Sequence, residues 1–366
     1  MIAHAPSRIA LFAALGAGLA LLSPGPTAAQ PAPAAQPAPP AAPPGPGPAA
    51  AQGLRRMRVI AFEGGSNLAL WAAERQGYFE DNGVKMILTY APTATAMVTG
   101  LADIKFDIGF LAMDHIVAYK EGQGDAKLQN NPDLIALFGV DDGLLTLMSA
   151  PAVKKVGDLK RKTVSVDALT TGYAFVLREL IGRAGLTDAD INLVSAGGTS
   201  NRYRELIAGK ADATLLRTPF ELMAKDRGYH ALATGDALGP YLGTVAATRR
   251  IWAQENQVAM VGFIRAYRAG LEWVSDPKNR PVAEAMLVAN IRDMTPALAK
   301  RSYDVLFAPK HGLIRDLSLD PARIKTVIDL RAKYREGKKE YGPPTKYIEG
   351  SYREKALEKA PRDGAH

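Results

Sequence analysis

DLKRKTVSVDALTTGYAFVLRELIGRAGL (residues 158–186), followed directly by TDADINLVSAGGTSNRYRELIAGKADATLLRTPF (187–220), is the stretch that decides the fold. Three times an apolar, strand-like run ends in small or polar residues and passes into an amphipathic helix. Lys162–Val166 leads to the Thr170-Thr171-Gly172 helix start, Asn192–Val194 to Gly197-Gly198-Thr199-Ser200, and Ala213–Leu216 to Arg217-Thr218-Pro219. This alternation marks an α/β protein, and ligands of such sheets collect where strand C-termini meet helix N-termini. Three such junctions in succession read as half of a binding cleft, so the other half is expected elsewhere in the chain.

Upstream, Met57–Phe62 reads as a buried strand and Gly64-Gly65-Ser66-Asn67 as a loop with a helix cap. The helix Leu68–Gln76 stops at Gly77, a C′ glycine. Strands follow at Val84–Tyr90 and Asp107–Leu111, with Thr93 or Thr95 capping a helix between them and another helix starting near Asp114. Leu134–Val140 and Leu144–Ser149 are two further strands. The first half thus supplies its own strand-to-helix junctions at 63–67, 92–95 and 111–115. A weak echo links the halves: TGLADIKFDIGF (99–110) and IAGKADATLL (207–216) each run helix end, glycine turn, aspartate, strand. Beyond a strand at Ala231–Thr234 and the Gly-rich passage 235–240 the alternation ends, and helices start at Ile251, Pro277, Thr295-Pro296 and Asp320-Pro321.

The ends of the chain differ from the middle. Residues 1–29 join Arg8, an apolar run Ile9–Leu22 and small residues to Ala29, the layout of an export signal cleaved near Ala29. A retained anchor is the alternative, although the apolar run is shorter than the ~20 residues of a bilayer span. Residues 30–53 are nearly all Pro, Ala, Gly and Gln, which suits an extended spacer. From Arg331 onward there are ten Lys/Arg against six Asp/Glu, so half of the net +8 sits in the last segment. Without interleaved aromatics it reads as a solvated basic tail, loose after Tyr341, and not as a nucleic-acid surface. There is no cysteine, which excludes disulfides, thiolate metal sites, cysteine nucleophiles and a lipid-carrying cysteine.

WAAERQGYFEDNG (71–83), residues 101–124 and residues 158–185 together resemble the periplasmic solute-binding proteins of ABC importers, in the nitrate/sulfonate/taurine and pyrimidine-precursor group. The residues that carry the resemblance are Gly77-Tyr78-Phe79 with Gly83, Asp107-Ile108-Gly109, Asp158-Leu159-Lys160 with Thr163, and Gly209-Lys210-Ala211-Asp212. It spans about residues 56–330; Arg161 stands where the family has glycine. The resemblance implies a two-lobed periplasmic-binding-protein fold crossed twice by the chain, near Ala150–Gly157 and Gly235–Thr244. One lobe would comprise 54–150 with 241–330, the other 151–240, and 331–366 a charged tail. It further implies an exported, periplasmic monomer that passes a small-molecule solute to a membrane permease, with ATP hydrolysed by a separate subunit. The solute class stays open within the group.

The candidate ligand residues sit at the junctions. Thr170, Thr171, Gly172 and Tyr173 begin one helix, and Gly198 and Thr199 the next; free N–H groups and a positive dipole end suit an anion, while ordinary capping is the alternative. Arg217 ends a strand at the mouth of the cleft, where its fork can grip a carboxylate or sulfonate or else join a structural salt bridge. With the starts at Thr171, Thr199 and Thr218 it would form a positive pocket, with Glu221 the nearest acid. Glu63, Ser66, Asn67, Thr95 and Asp114 occupy matching places in the first lobe, and Trp71 and Phe110 are aromatics for a ring-bearing solute or for the core. No catalytic, metal or cofactor motif is present and the five histidines are scattered, so binding without turnover or cofactor is expected. An enzyme of pyrimidine-precursor synthesis and a periplasmic sensor input are the alternatives.

Overall fold

The computed structural model describes residues 53–129, 131–309, 311–337 and 340–358. The expected export signal and, apart from Gly53, the expected spacer lie outside the described residues. Among the described residues no helix is long and apolar enough to cross a membrane.

Among the described residues ten strands form two separate five-stranded mixed sheets. In chain order they are β1 Arg55–Ala61, β2 Val84–Tyr90, β3 Ile108–Ala112, β4 Leu134–Gly139, β5 Thr146–Ser149, β6 Thr163–Val166, β7 Asn192–Ser195, β8 Ala213–Leu216, β9 His230–Thr234 and β10 Thr244–Arg249. The first sheet runs β2-β1-β3-β10-β4, with β1 parallel to β2 and β3 and β10 antiparallel to both its neighbours. The second runs β7-β6-β8-β5-β9, with β5 antiparallel to β8 and β9. Strands covered by helices on both faces read as unbroken apolar runs, and β3 (IGFLA) and β4 (LIALFG) are buried at every position. The result is an α/β protein of two lobes.

The first passage between lobes differs from the sequence expectation. The chain leaves the first sheet at Gly139 and joins the second at Thr146, so the crossing lies at residues 140–145 and not near 150–157. Thr146–Ser149 pairs with Ala213–Leu216, from Thr146↔Leu216 to Ser149↔Ala213. Both apolar runs look alike in sequence, and only this distant pairing assigns the second run to the other lobe. The return passes through residues 235–243.

The segment after β10 is helical, and its longest helix, Gln257–Ser275, packs against Leu68–Arg75. Around it Phe138 and Phe110 pack at a tilt against Tyr267, at 4.8 and 5.6 Å between ring centres. The described residues after Tyr341 are not the loose tail that their charge suggests. Tyr347 is fully buried, Ile348 bridges Ala136 of β4, and helix Ser351–Leu357 buries Tyr352 and Ala356. Arg331, counted above as a tail charge, is 1% exposed on helix Pro321–Tyr334. It forks onto Asp114 with two bonds of 2.7 Å and donates to Thr170 O at 3.0 Å, so it ties the first lobe to the second.

Candidate functional site

The two lobes face each other across a cavity. Phe62 follows β1, Ala112 ends β3, His115 lies on helix Met113–Lys120, and Thr244 opens β10. Opposite them Asp167 follows β6, Tyr173 begins helix Gly172–Gly182, Gly198 and Thr199 begin helix Thr199–Ile207, and Arg217 follows β8. The parallel strands β1, β3, β6 and β8 all point their C-terminal ends here, where the ends of α/β strands gather ligands. The lobes already touch: Gly65 N donates to Thr218 O at 3.0 Å and Gly198 N to Pro92 O at 3.1 Å. Gly197, at φ +72°, makes that approach possible, since a Cβ there would stand 3.1 Å from Pro92 O. Free space in the cavity is only about 20 Å³, water-sized, so the lobes must part to admit a larger solute.

Two guanidinium groups dominate the charge of the cavity. Arg217 donates to the fully buried Asp141 at 2.5 Å and lies 5.9 Å from the centre of the Tyr173 ring. Burial works against its charge, but Asp141 outweighs this and holds the Arg217 pKa above its ordinary value. Arg202 is 1% exposed and donates only to neutral acceptors: Leu215 O at 3.1 Å, Gly197 O at 2.6 Å and Thr199 Oγ1 at 3.1 Å. Among the described residues no carboxylate lies within 4.0 Å of it, and burial depresses its pKa although Asp167 partly offsets this. A second set of polar atoms is buried here: both ring nitrogens of His115 and Arg217 Nε have no hydrogen-bond partner among the described residues, while the Tyr173 hydroxyl and Thr244 Oγ1 face each other. Each such atom is costly unless something donates to it or accepts from it.

The structure brings Tyr173, Gly198, Thr199 and Arg217 to the cavity, together with Phe110, which serves the core as well. The other expected residues stand apart from it. Asp114 is engaged by Arg331, and Asn67 Nδ2 donates to Phe62 O and Gly64 O, bracing its own loop. Thr171 caps its helix and donates to Asp167 Oδ1 at 2.7 Å; Thr170 donates to Asp125 across the lobes. Gly172 lies against Asp114, where a Cβ would come within 2.4 Å. Thr95 is exposed, while Thr93 makes the cap; Glu63 and Ser66 are half-buried outside the cavity lining. Trp71 is core, with Nε1 donating to the Tyr90 hydroxyl. The nearest acid to Arg217 is Asp141 and not Glu221, whose carboxylate accepts from Thr218 Oγ1. Thr218 lines a different cavity, so the three helix starts do not converge.

Sequence reasoning missed Phe62, His115, Asp141, Asp167, Arg202 and Thr244. Arg202 carried a readable signal: it shares one helix face with Thr199 and Leu206, at the three- and four-residue spacing where apolar residues are expected. His115 sits in MDHIVAY, a helix buried on all sides, which is an unusual place for an imidazole.

The NMT1/THI5 like family model matches residues 66–280, more than half of the chain. No sequence among the curated proteins matches it. Among solved structures, the alkanesulfonate-binding protein SsuA from Xanthomonas axonopodis pv. citri, bound to MOPS, is similar with a TM-score of 0.60. It is 18% identical, covering 77% of this chain and 91% of that one. The periplasmic aliphatic sulphonate binding protein SsuA from Escherichia coli gives 0.61 at 16% identity, covering 80% and 92%. The periplasmic nitrate-binding protein NrtA from Synechocystis PCC 6803 gives 0.64 at 9% identity, covering 77% and 82%.

Proposed function

Because the chain belongs to the NMT1/THI5-like family, we propose that it is an extracytoplasmic receptor that captures a small organic anion between its lobes and hands it to a membrane permease. The observation that carries this reading is Arg202, a buried cation whose three bonds all end on neutral acceptors beside the cavity. A carboxylate or sulfonate there would supply the missing negative charge and accept from Arg217 Nε and from the paired hydroxyls of Tyr173 and Thr244. Phe62 and Phe110 give the solute's body an apolar wall, and Asp167 offers an acceptor for a hydroxyl or amino group on it. The names of the sulfonate- and nitrate-binding structural relatives and the export-signal pattern of residues 1–29 support the same reading.

Capture follows from the geometry. Donors to the solute come from both lobes, so only the closed form makes all of them, and the solute stabilises that form by the difference. The permease reads closure, and ATP is hydrolysed by a separate subunit. The test is a melting-temperature screen of the exported chain with carboxylates, sulfonates, inorganic oxyanions and neutral pyrimidines. An acid should raise Tm, and Tyr173→Phe and Arg202→Lys should each reduce that rise. Stabilisation by neutral pyrimidines alone would replace the anion with a pyrimidine precursor as the solute.

A further inference from the structure

A second cavity, sharing no lining residue with the first, opens beside the two crossings and has a free volume of about 490 Å³. Thr218 and Glu221 line it from the second lobe, Asp142 and Asp236 from the crossings, and Asp304 and His311 from the helical segment after β10. Most of its charged groups have partners. Asp304 takes Arg280 at 2.8 Å, and His311 Nδ1 stands between Asp142 at 3.0 Å and Asp236 at 3.4 Å. Arg323, also in the lining, is 3.8 Å from Asp320.

Glu221 is the exception. It is 4% exposed, one carboxylate oxygen accepts from Thr218 Oγ1 at 2.8 Å, and among the described residues no cation lies within 4.0 Å of the carboxyl. A carboxyl group with no cation beside it, at the wall of a roomy cavity, leaves space for a charged donor. The donor is not a metal ion, since no three His, Asp or Glu among the described residues stand close enough to hold one. The walls argue for a carbon skeleton: Leu144, Leu145, Pro240, Val305 and Ala308 line the same space.

We propose that this cavity binds an alkylamine, its ammonium group donating to Glu221 and its chain lying along Leu144, Leu145 and Val305. Asp236, whose side chain is 59% exposed, sits where a second ammonium group of a diamine would find a carboxylate near solvent. Such a ligand is opposite in charge to the one assigned to the inter-lobe cavity, so the two sites are told apart chemically.

The experiment is calorimetric titration of the exported chain with 1,4-diaminobutane and with n-butylamine, repeated on Glu221→Gln, Asp236→Asn and Tyr173→Phe. Saturable binding of one molecule is expected, weakened about tenfold or more by Glu221→Gln, because an ammonium would lose its charged acceptor. Asp236→Asn, at an exposed position that leaves the fold intact, should weaken the diamine and leave butylamine unchanged; Tyr173→Phe should alter neither. No saturable heat with either amine would overturn the proposal. So would binding that survives Glu221→Gln, or that is lost in Tyr173→Phe and thereby belongs to the inter-lobe cavity. The anion reading of that cavity is tested separately by its own acids and stands or falls without this result.

Discussion

Arg217→Ala should cost the unliganded protein stability as well as affinity, and the size of the loss follows from Asp141. Asp141 is fully buried, and Arg217 is its only cation within 4.0 Å among the described residues. Removing one member of a buried pair strands the other charge, a loss of about 3–5 kcal/mol. Asp141 Oδ1 keeps its bonds from Gly143 N at 2.8 Å and Thr244 N at 3.2 Å, so the lower end applies. With an unfolding entropy of about 2 cal/mol/K per residue over about 300 residues, about 3 kcal/mol lowers Tm by about 5 °C. Asp141→Asn in the Arg217→Ala background removes the stranded charge and should restore most of that loss. Scanning calorimetry of the single and double variants without ligand is the assay. An unchanged Tm for Arg217→Ala would refute the reasoning, since Arg217 would then face open solvent until a ligand arrives.

Gly172→Ala adds a Cβ only 2.4 Å from that of Asp114 on the opposite lobe, so it should hinder closure and weaken solute binding by about tenfold or more while the unliganded Tm holds; equal affinity would contradict this. Arg331→Met strands Asp114, which is likewise fully buried, and should cost about 3–5 kcal/mol by urea denaturation; a loss below about 1 kcal/mol would show that the pair is dispensable. Glu221 titrates at about 7 instead of 4.5, because of burial. Its protonated form therefore favours the folded state fully below pH 4.5, and that contribution is lost as pH rises through 7. Glu221→Gln should gain on the wild type by up to about 3 kcal/mol between pH 5 and pH 8, and a pH-independent difference would sink this account.

What the sequence made legible was local. Thr93, Thr171, Thr295 and Asp320 each accept a backbone N–H at a helix start, and Gly77 takes the left-handed conformation that ends its helix. These are contacts between near neighbours, which residue type and spacing encode directly. The errors were all non-local. Thr146–Ser149 belongs to the second sheet through a partner strand about 70 residues away, which no local pattern records. Asp114 looked like a free acid at a strand end because its partner, Arg331, is 217 residues distant. The final segment looked solvated because its charges outnumber Tyr347, Tyr352 and Ala356, the few residues that anchor it. At the cavity, the helix starts at Tyr173 and at Gly198-Thr199 lie in the lining while the first-lobe candidates do not, because which groups remain unpartnered depends on pairings that only the folded chain shows. Arg202 was missed for that reason, although its helix face gave it away.

The central claim, that this chain holds a small organic acid between its lobes, is tested most directly by native mass spectrometry of the freshly purified protein. One small acid per chain is predicted, released intact on denaturation, and retained less in Tyr173→Phe than in the wild type. Recovery of no acid at all, or of a neutral molecule in its place retained equally by Tyr173→Phe, would contradict the claim.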